Sequence, residues 1–391
     1  VPVFLAGGWQ DEQTGPFFTE LMDQFTASPA VRMMTYNGVH SDCFQPQLMA
    51  EWKAFLDLFV ARRVPAMDPT LVAFSPLLFT YIYDTSARIP TLDRFASART
   101  QAEALAIWKA EPTLYTFFDS GGAPADPGAV GGTFKRSFSR WPPTGARLLR
   151  YYLQPGGTLG QQAPSVASSA SSFQHDPGAG KRGNLESGSV DSKLPKWDWA
   201  PLAAGKAAVF ETPALTADQL LLGTASADLW IKSTATEADL QVSISEVRPD
   251  GKEMYVQSGW LRASRRRLDP ARTTALWPRP TYSKKDYAPL LPGQWVQVRV
   301  PFGGFGHAFR KGSKIRIAID TPGGTRARWR FALEPVPPNT VHTIGHDATH
   351  PSSVALSLLP GDRADTALPA CPSLRGQPCR AYQAYTNTPA Q

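Results

Sequence analysis

Val1-Pro-Val-Phe-Leu-Ala-Gly-Gly-Trp-Gln-Asp11 is an apolar run that passes through two glycines and a tryptophan and stops at a carboxylate. Such a run predicts a buried strand, and Gly7-Gly8 lets the chain turn where it ends. A second apolar run, Met33-Met-Thr-Tyr-Asn-Gly-Val-His40, ends in a histidine after an Asn37-Gly38 turn. Between the two, Phe18, Leu21, Met22 and Phe25 recur at helical spacing. Leu48 to Val60 repeats the helical pattern, with Leu48, Trp52, Phe55, Leu56 and Phe59 expected on the inward side. Strand, acid loop, helix, strand, histidine loop, helix predicts the closing portion of a parallel α/β sheet. With no initiator Met or charged leader before Val1, the chain is expected to start inside a longer protein.

A carboxylate just past one strand and a histidine just past the next suit acid–base chemistry. The acid fixes the imidazole tautomer and stabilises the imidazolium as it forms. Asp11 and His40 are the candidate catalytic residues. Taken singly, a post-strand aspartate is more often a turn residue, and a loop histidine is more often only a loop histidine. Glu12 and Asp23 compete weakly for the role of the acid. Cys43 lies three residues after His40 and reads as an ordinary thiol.

Downstream, prolines at 65, 69, 76 and 90 interrupt residues 65–110, yet Leu71 to Tyr83 is strongly apolar and Arg94 to Lys109 has a helical pattern. A helical insertion is expected there. Tyr115 to Phe118 predicts a strand, Phe134 to Trp141 an irregular aromatic segment, and Leu148 to Leu153 a strand closed by Gly156-Gly157. Residues 161–196 are rich in Gly and Ser and read as a linker-like tract. From 205 to 360 the apolar period becomes two, as in Ala227 to Lys232, Leu240 to Val247, Trp295 to Val300 and Lys314 to Asp320. Pro249-Asp-Gly251 sits where a tight turn belongs. Antiparallel strands with two faces to cover imply a sandwich or jelly roll. The expected domains are 1–145, with the insertion at 65–110, and 146–391.

Composition excludes several classes. The net charge of +7 and the short runs Arg265-Arg-Arg267 and Lys284-Lys285 come without a nucleic-acid-binding module, so no nucleic-acid partner is expected. No stretch approaches the ~20 consecutive apolar residues of a membrane helix, and no membrane partner is expected. His342, His346 and His350 surround Asp347, but Gly345 and Pro351 rule out a helical metal motif. They are read as polar loop residues, with no metal. Gly303-Gly-Phe-Gly306 lacks dinucleotide-binding spacing, and no cofactor is expected. Among the three cysteines, Cys371 and Cys379 enclose a loop that a disulfide would clip in an oxidising compartment. Secretion or a periplasmic location is expected if that pair is bridged.

The chain resembles the C-terminal part of the cocaine esterase and X-prolyl dipeptidyl-peptidase family of serine hydrolases. Gly8-Trp9-Gln10-Asp11 matches that family's Gly-Trp-Tyr-Asp segment, with Gln10 in place of Tyr, and Asn37-Gly38-Val39-His40 matches its histidine loop without the Pro-Trp pair. Collinear matches follow at Arg150 to Leu159, Phe210 to Leu220, Asp239 to Gly251, Phe309-Arg-Lys-Gly-Ser-Lys-Ile-Arg-Ile317 and His350-Pro-Ser352. The resemblance implies an α/β plus all-β fold. It would consist of the C-terminal portion of an α/β-hydrolase domain followed by a β-sandwich (jelly roll, galactose-binding-like) domain. It also implies that Asp11 and His40 are the triad acid and base. The nucleophile, in a Gly-x-Ser-x-Gly elbow absent from these 391 residues, would come from an upstream segment.

The expected activity is therefore hydrolysis of a small ester, amide or short peptide through an acyl-enzyme, with this chain inactive by itself. The competing reading is a non-catalytic carbohydrate- or protein-binding jelly roll beside a structural α/β remnant. In that case Trp260, Trp277, Tyr282 and Tyr287 would line a sugar platform.

Overall fold

The computed structural model describes residues 1–179, 184–185, 192–194, 197–323 and 331–390. The chain divides into two compact units. The first comprises Val1–Thr144, Leu185–Lys196 and Ala364–Gln377, and the second Gly145–Asn184, Trp197–Arg363 and Pro378–Gln391.

In the first unit, β1 (Val3–Gly8), β2 (Val31–Tyr36) and β3 (Leu114–Phe118) form a parallel sheet, and β4 (Phe134–Phe138) joins β3 antiparallel. β2 is central and buried from Arg32 onward, as expected of a parallel strand covered on both faces. β1 is only half-buried along most of its length and, among the described residues, pairs on one side, with β2. The phenylalanine strand β4 replaces the irregular segment expected over 134–141. Its alternation of buried, exposed and intermediate residues is that of an edge strand with one wet face.

The helices are α1 (Pro46–Leu56), α2 (Pro69–Tyr83) and α3 (Gln101–Ala110). Asp68 caps α2 by accepting the N–H of Thr70. Thr100 caps α3 through Glu103 N–H while the Glu103 carboxylate accepts Arg99 N–H. Ala54, Leu58, Phe79, Tyr83, Phe95, Ala104 and Trp108 share one core, so the helices α2 and α3 of residues 65–110 pack together with α1. Two details of the sequence reading change. α1 ends at Leu56 and continues as a π-turn over Asp57–Ala61, and Trp52 faces solvent rather than the core. The segment after Gly15 is a 3-10 helix, Gly15–Leu21, and Leu21 is exposed.

The second unit is a β-sandwich. Gln219–Ser233 pairs antiparallel with Val296–Phe309, and Asp239–Val247 forms a hairpin with Lys252–Arg262 across Pro249-Asp-Gly251. Lys314–Asp320 lies between Asp239–Val247 and Ala207–Glu211, and Ser353–Leu359 lies between Arg147–Gln154 and Gln219–Ser233. Val296–Phe309 meets Lys252–Arg262 at Gly259 and Phe302, so the chain of pairings closes on itself. Among the described residues of 200–360, helix is limited to the single turns Ala263–Arg265 and Lys284–Asp286. The linker-like reading of 161–196 is corrected in part. Ala170–Gln174 is a strand paired with Val341–Gly345 and buries Ser171 and Phe173; residues 180–183, 186–191 and 195–196 lie outside the described residues.

Candidate active site

β1 and β2 run parallel with Gly8 opposite Tyr36, so the loops that follow them leave the sheet side by side. Backbone bonds hold the two loops together: Trp9 N–H donates to Tyr36 O at 2.8 Å, and Gln10 N–H to Gly38 O at 3.2 Å. The Trp9 indole is fully buried, stacked on Phe18 and Trp141 at 5.4 and 6.1 Å. A side chain at Gly7 would lie 2.5 Å from the Phe18 ring, which accounts for the first glycine of the pair.

Asp11 and His40 meet here. Asp11 Oδ2 lies 2.8 Å from His40 Nδ1, while Oδ1 accepts the N–H groups of Gln13 and Thr14 at 2.7 and 2.8 Å. The carboxylate is therefore fixed on one side by backbone and presents its other oxygen to the imidazole. Burial works against the charged form of Asp11, but the N–H of Thr14, the His40 ring and the N–H of Gln13 outweigh it. Its carboxyl is held below the usual range. The His40 side chain remains 45 % exposed while its Nδ1 side faces Asp11. This arrangement can hold an imidazole in one orientation and receive a proton at the other ring nitrogen.

Neighbouring residues have positional roles that the sequence did not reveal. Glu12, fully buried, accepts His40 N–H at 2.9 Å, and Gln10 Oε1 accepts Gly38 N–H at 3.0 Å. Asp42 Oδ2 accepts Val39 N–H at 3.0 Å and so closes the turn that contains His40. Asp23, the weaker alternative acid, is exposed. Cys43 is half-buried, and burial followed by the charges of Asp42 and Asp11 pushes its thiol up, which opposes use as a nucleophile.

Other sequence candidates do not assemble into sites. Val341–Gly345 is a strand, so His342 is a buried sheet residue and not a loop residue. His350 Nδ1 pairs with Asp347 at 3.2 Å, and His346 Nε2 lies 2.9 Å from Ser171 Oγ. Among the described residues no group of three or more His, Cys, Asp or Glu side chains is placed to hold a metal. Gly303-Gly-Phe-Gly306 lies within the strand Val296–Phe309. The four-aromatic sugar platform fails on geometry: Trp260 and Trp277 are buried, Trp260 Nε1 donates to Gln241, and Trp277 lies beneath the Arg279 guanidinium at 3.5 Å. No helix among the described residues is long and apolar enough to cross a membrane.

The first unit carries an α/β-hydrolase-like sheet with an acid and a histidine at one end, and the second is the β-sandwich module. The chain belongs to the family of the X-Pro dipeptidyl-peptidase C-terminal non-catalytic domain, whose model matches residues 107–355. Asp11 and His40 lie before the matched stretch. The fold is similar to that of a CocE/NonD family hydrolase from Staphylococcus aureus, with a TM-score of 0.62 and 15 % identity over 92 % of this chain and 54 % of that one. An aminopeptidase from a marine sediment Thaumarchaeota archaeon is similar with a TM-score of 0.57 and 15 % identity, over 92 % of this chain and 55 % of its own. Proteins described as "Putative serine esterase" in Mycobacterium bovis and Mycobacterium tuberculosis are 29 % identical over 193 residues, 47 % of this chain and 30 % of each relative. The chain thus spans about half the length of those solved structures, and its match covers less than a third of the curated relatives.

Proposed function

We propose that the chain supplies the acid and the base of a serine hydrolase whose nucleophile lies in a segment upstream of Val1. The observation that carries this reading is the Asp11–His40 pair, with one carboxylate oxygen fixed by two backbone N–H groups and the other 2.8 Å from Nδ1. In this reading His40 Nε2 takes the proton of the serine hydroxyl as Oγ attacks an ester or amide carbonyl. The same proton then passes to the leaving group as the tetrahedral intermediate collapses to an acyl-enzyme. Water deacylates the serine by the same exchange. Asp11 keeps the proton of the neutral ring on Nδ1 and offsets the imidazolium charge.

Two further observations support the reading. The outer edge of β1 is unpaired among the described residues, as expected where further strands of a parallel sheet would add. The relatives include proteins named as hydrolase, aminopeptidase and serine esterase. The substrate class we propose is a small ester or amide: a short peptide with proline next to the scissile bond, an α-amino ester or a β-lactam side chain.

The test is direct. The 391-residue chain alone should neither hydrolyse p-nitrophenyl esters nor label with a fluorophosphonate, whereas the full-length protein should do both. His40→Ala in the full-length protein should lower kcat by about 10⁴-fold or more. Labelling of the isolated chain at an active-site serine, or full activity of His40→Ala, would refute the proposal.

A further inference from the structure

Val39, Ser41 and Asp42 flank the candidate base, and the return of the chain over Ala364–Gln377 into the first unit places Arg375 against their turn. Arg375 Nε and Nη2 both reach Asp42 Oδ1, at 2.8 and 2.7 Å, and neither side chain has any exposed surface. The other oxygen of Asp42 accepts Val39 N–H. The guanidinium carbon of Arg375 lies 5.5 Å from the centre of the Tyr83 ring, and the Tyr83 hydroxyl donates to Ser41 O. Arg375 Nη1 donates to Gly128 O and Ser192 O, both at 3.2 Å. Its backbone is held as well: Arg375 N–H donates to Ser120 O at 2.9 Å, and Asn37 Nδ2 reaches Arg375 O at 3.5 Å. The next residue leaves no slack. Gly376 has φ of 72°, and a Cβ there would lie 2.7 Å from Gln10 Cβ and 3.2 Å from the Gly38 carbonyl carbon.

We propose that Arg375 is a positioning residue for His40: through Asp42 it sets the turn that aims the imidazole at Asp11 and at the reacting hydroxyl. The role rests on the serine-hydrolase reading above. A planar guanidinium with two nitrogens on one carboxylate oxygen fixes the direction of Asp42 as well as its charge, which an ammonium does not do. Rate is sensitive to such aim, since a displacement of ~1 Å in a catalytic group can cost about 100-fold. The separation of 333 positions in sequence between Asp42 and Arg375 explains why no local motif announces the pair.

The test uses the full-length protein with Arg375→Lys, Arg375→Gln and the double variant Asp42→Asn/Arg375→Gln. Removing one partner of a buried ion pair leaves a charge without compensation, so Arg375→Gln alone is the variant most prone to misfold. The double variant is neutral and keeps hydrogen-bonding groups. For folded double variant, judged by near-UV circular dichroism, kcat on an ester substrate should fall by about 30-fold or more with KM within about two-fold. Arg375→Lys should fall between it and the parent. The Nδ1 proton of His40, identified in the NMR spectrum by its absence from His40→Ala, should shift or broaden in both.

A folded double variant with parental kcat and an unshifted His40 proton would overturn the proposal. If the double variant does not fold, Arg375→Lys, which keeps the charge balance, decides the matter by the same two readouts. The NMR signal separates the two readings. A full-length parent without esterase or amidase activity would refute the serine hydrolase, and the His40 proton would still report whether Arg375 sets its position.

Discussion

Gln10 Oε1 accepts the N–H of Gly38 at 3.0 Å, so the loop of the acid and the loop of the histidine are joined by a side chain that belongs to neither chemical group. The family resemblance places a tyrosine at this position, and here the amide supplies the acceptor that the Gly38 N–H requires. Gln10 is fully buried. Gln10→Ala should leave a buried N–H without that acceptor and lower stability by about 1–3 kcal/mol. Chemical denaturation of the two proteins gives the difference, and an unchanged midpoint would show that the bond does not stabilise the loops.

Asp11→Asn in the full-length protein should keep the fold and lower kcat by about 10⁴-fold, because an amide donor facing Nδ1 favours the wrong tautomer. The same carboxylate has a pH signature. Its folded-state value is depressed below the ordinary 3.8, against the effect of burial, by Thr14, His40 and Gln13. Its stabilising contribution is therefore full above the unfolded value and lost as pH falls through the folded one. Acid titration of the parent and Asp11→Asn should show a smaller loss of stability below about pH 4 in the variant. Equal acid sensitivity would contradict the assignment.

Cys371 and Cys379 are both disulfide-bonded, and Cys43 is the free thiol. Because thiols are kept reduced in the cytosol of most cells, we propose that the protein works in an oxidising compartment, secreted or periplasmic. Alkylation of the native protein without reduction should mark Cys43 alone when read by mass spectrometry. Marking of all three cysteines would point to a reducing compartment. Loss of so short a clip should cost at most about 2–3 kcal/mol.

The parts of this structure legible in the sequence are those governed by local pattern. Val3–Gly8 and Val31–Tyr36 announce themselves as apolar runs, and the Pro249-Asp-Gly251 hairpin by its turn residues. The strand Val296–Phe309 was only half legible, because its second half is buried throughout and carries three glycines, which erases the alternation that marks a strand with one wet face. Ala170–Gln174 reads as a polar linker since its serines are satisfied by pairing: Ser171 with His346 and Ser172 with Thr343. At the site, Asp11 and His40 each follow a strand, so their meeting follows from the register of β1 and β2. Glu12, Asp42 and Arg375 gave no such signal. Their roles come from contacts with backbone N–H groups and with a segment hundreds of residues away, which spacing cannot encode.

His342 is fully buried on Val341–Gly345, with Nδ1 3.1 Å from Ser233 Oγ and its ring edge-on to His175 at 5.9 Å. Burial, reinforced by the neighbouring His175, lowers its pKa from 6.5 to about 3. The folded protein therefore holds this ring neutral where the unfolded chain would bind a proton. Its contribution to stability is full above about pH 6.5 and declines as pH falls toward 3, at up to about 1.4 kcal/mol per unit. At pH 5 the loss from this one group should reach about 2 kcal/mol relative to pH 7. His342→Gln keeps an acceptor or donor for Ser233 and removes the titration, so its unfolding free energy should change less between pH 7 and pH 5 than the parent's. Guanidinium unfolding of both proteins at the two pH values measures the difference. Parallel losses in parent and variant would show that His342 is not the group that couples acid to unfolding of the sandwich.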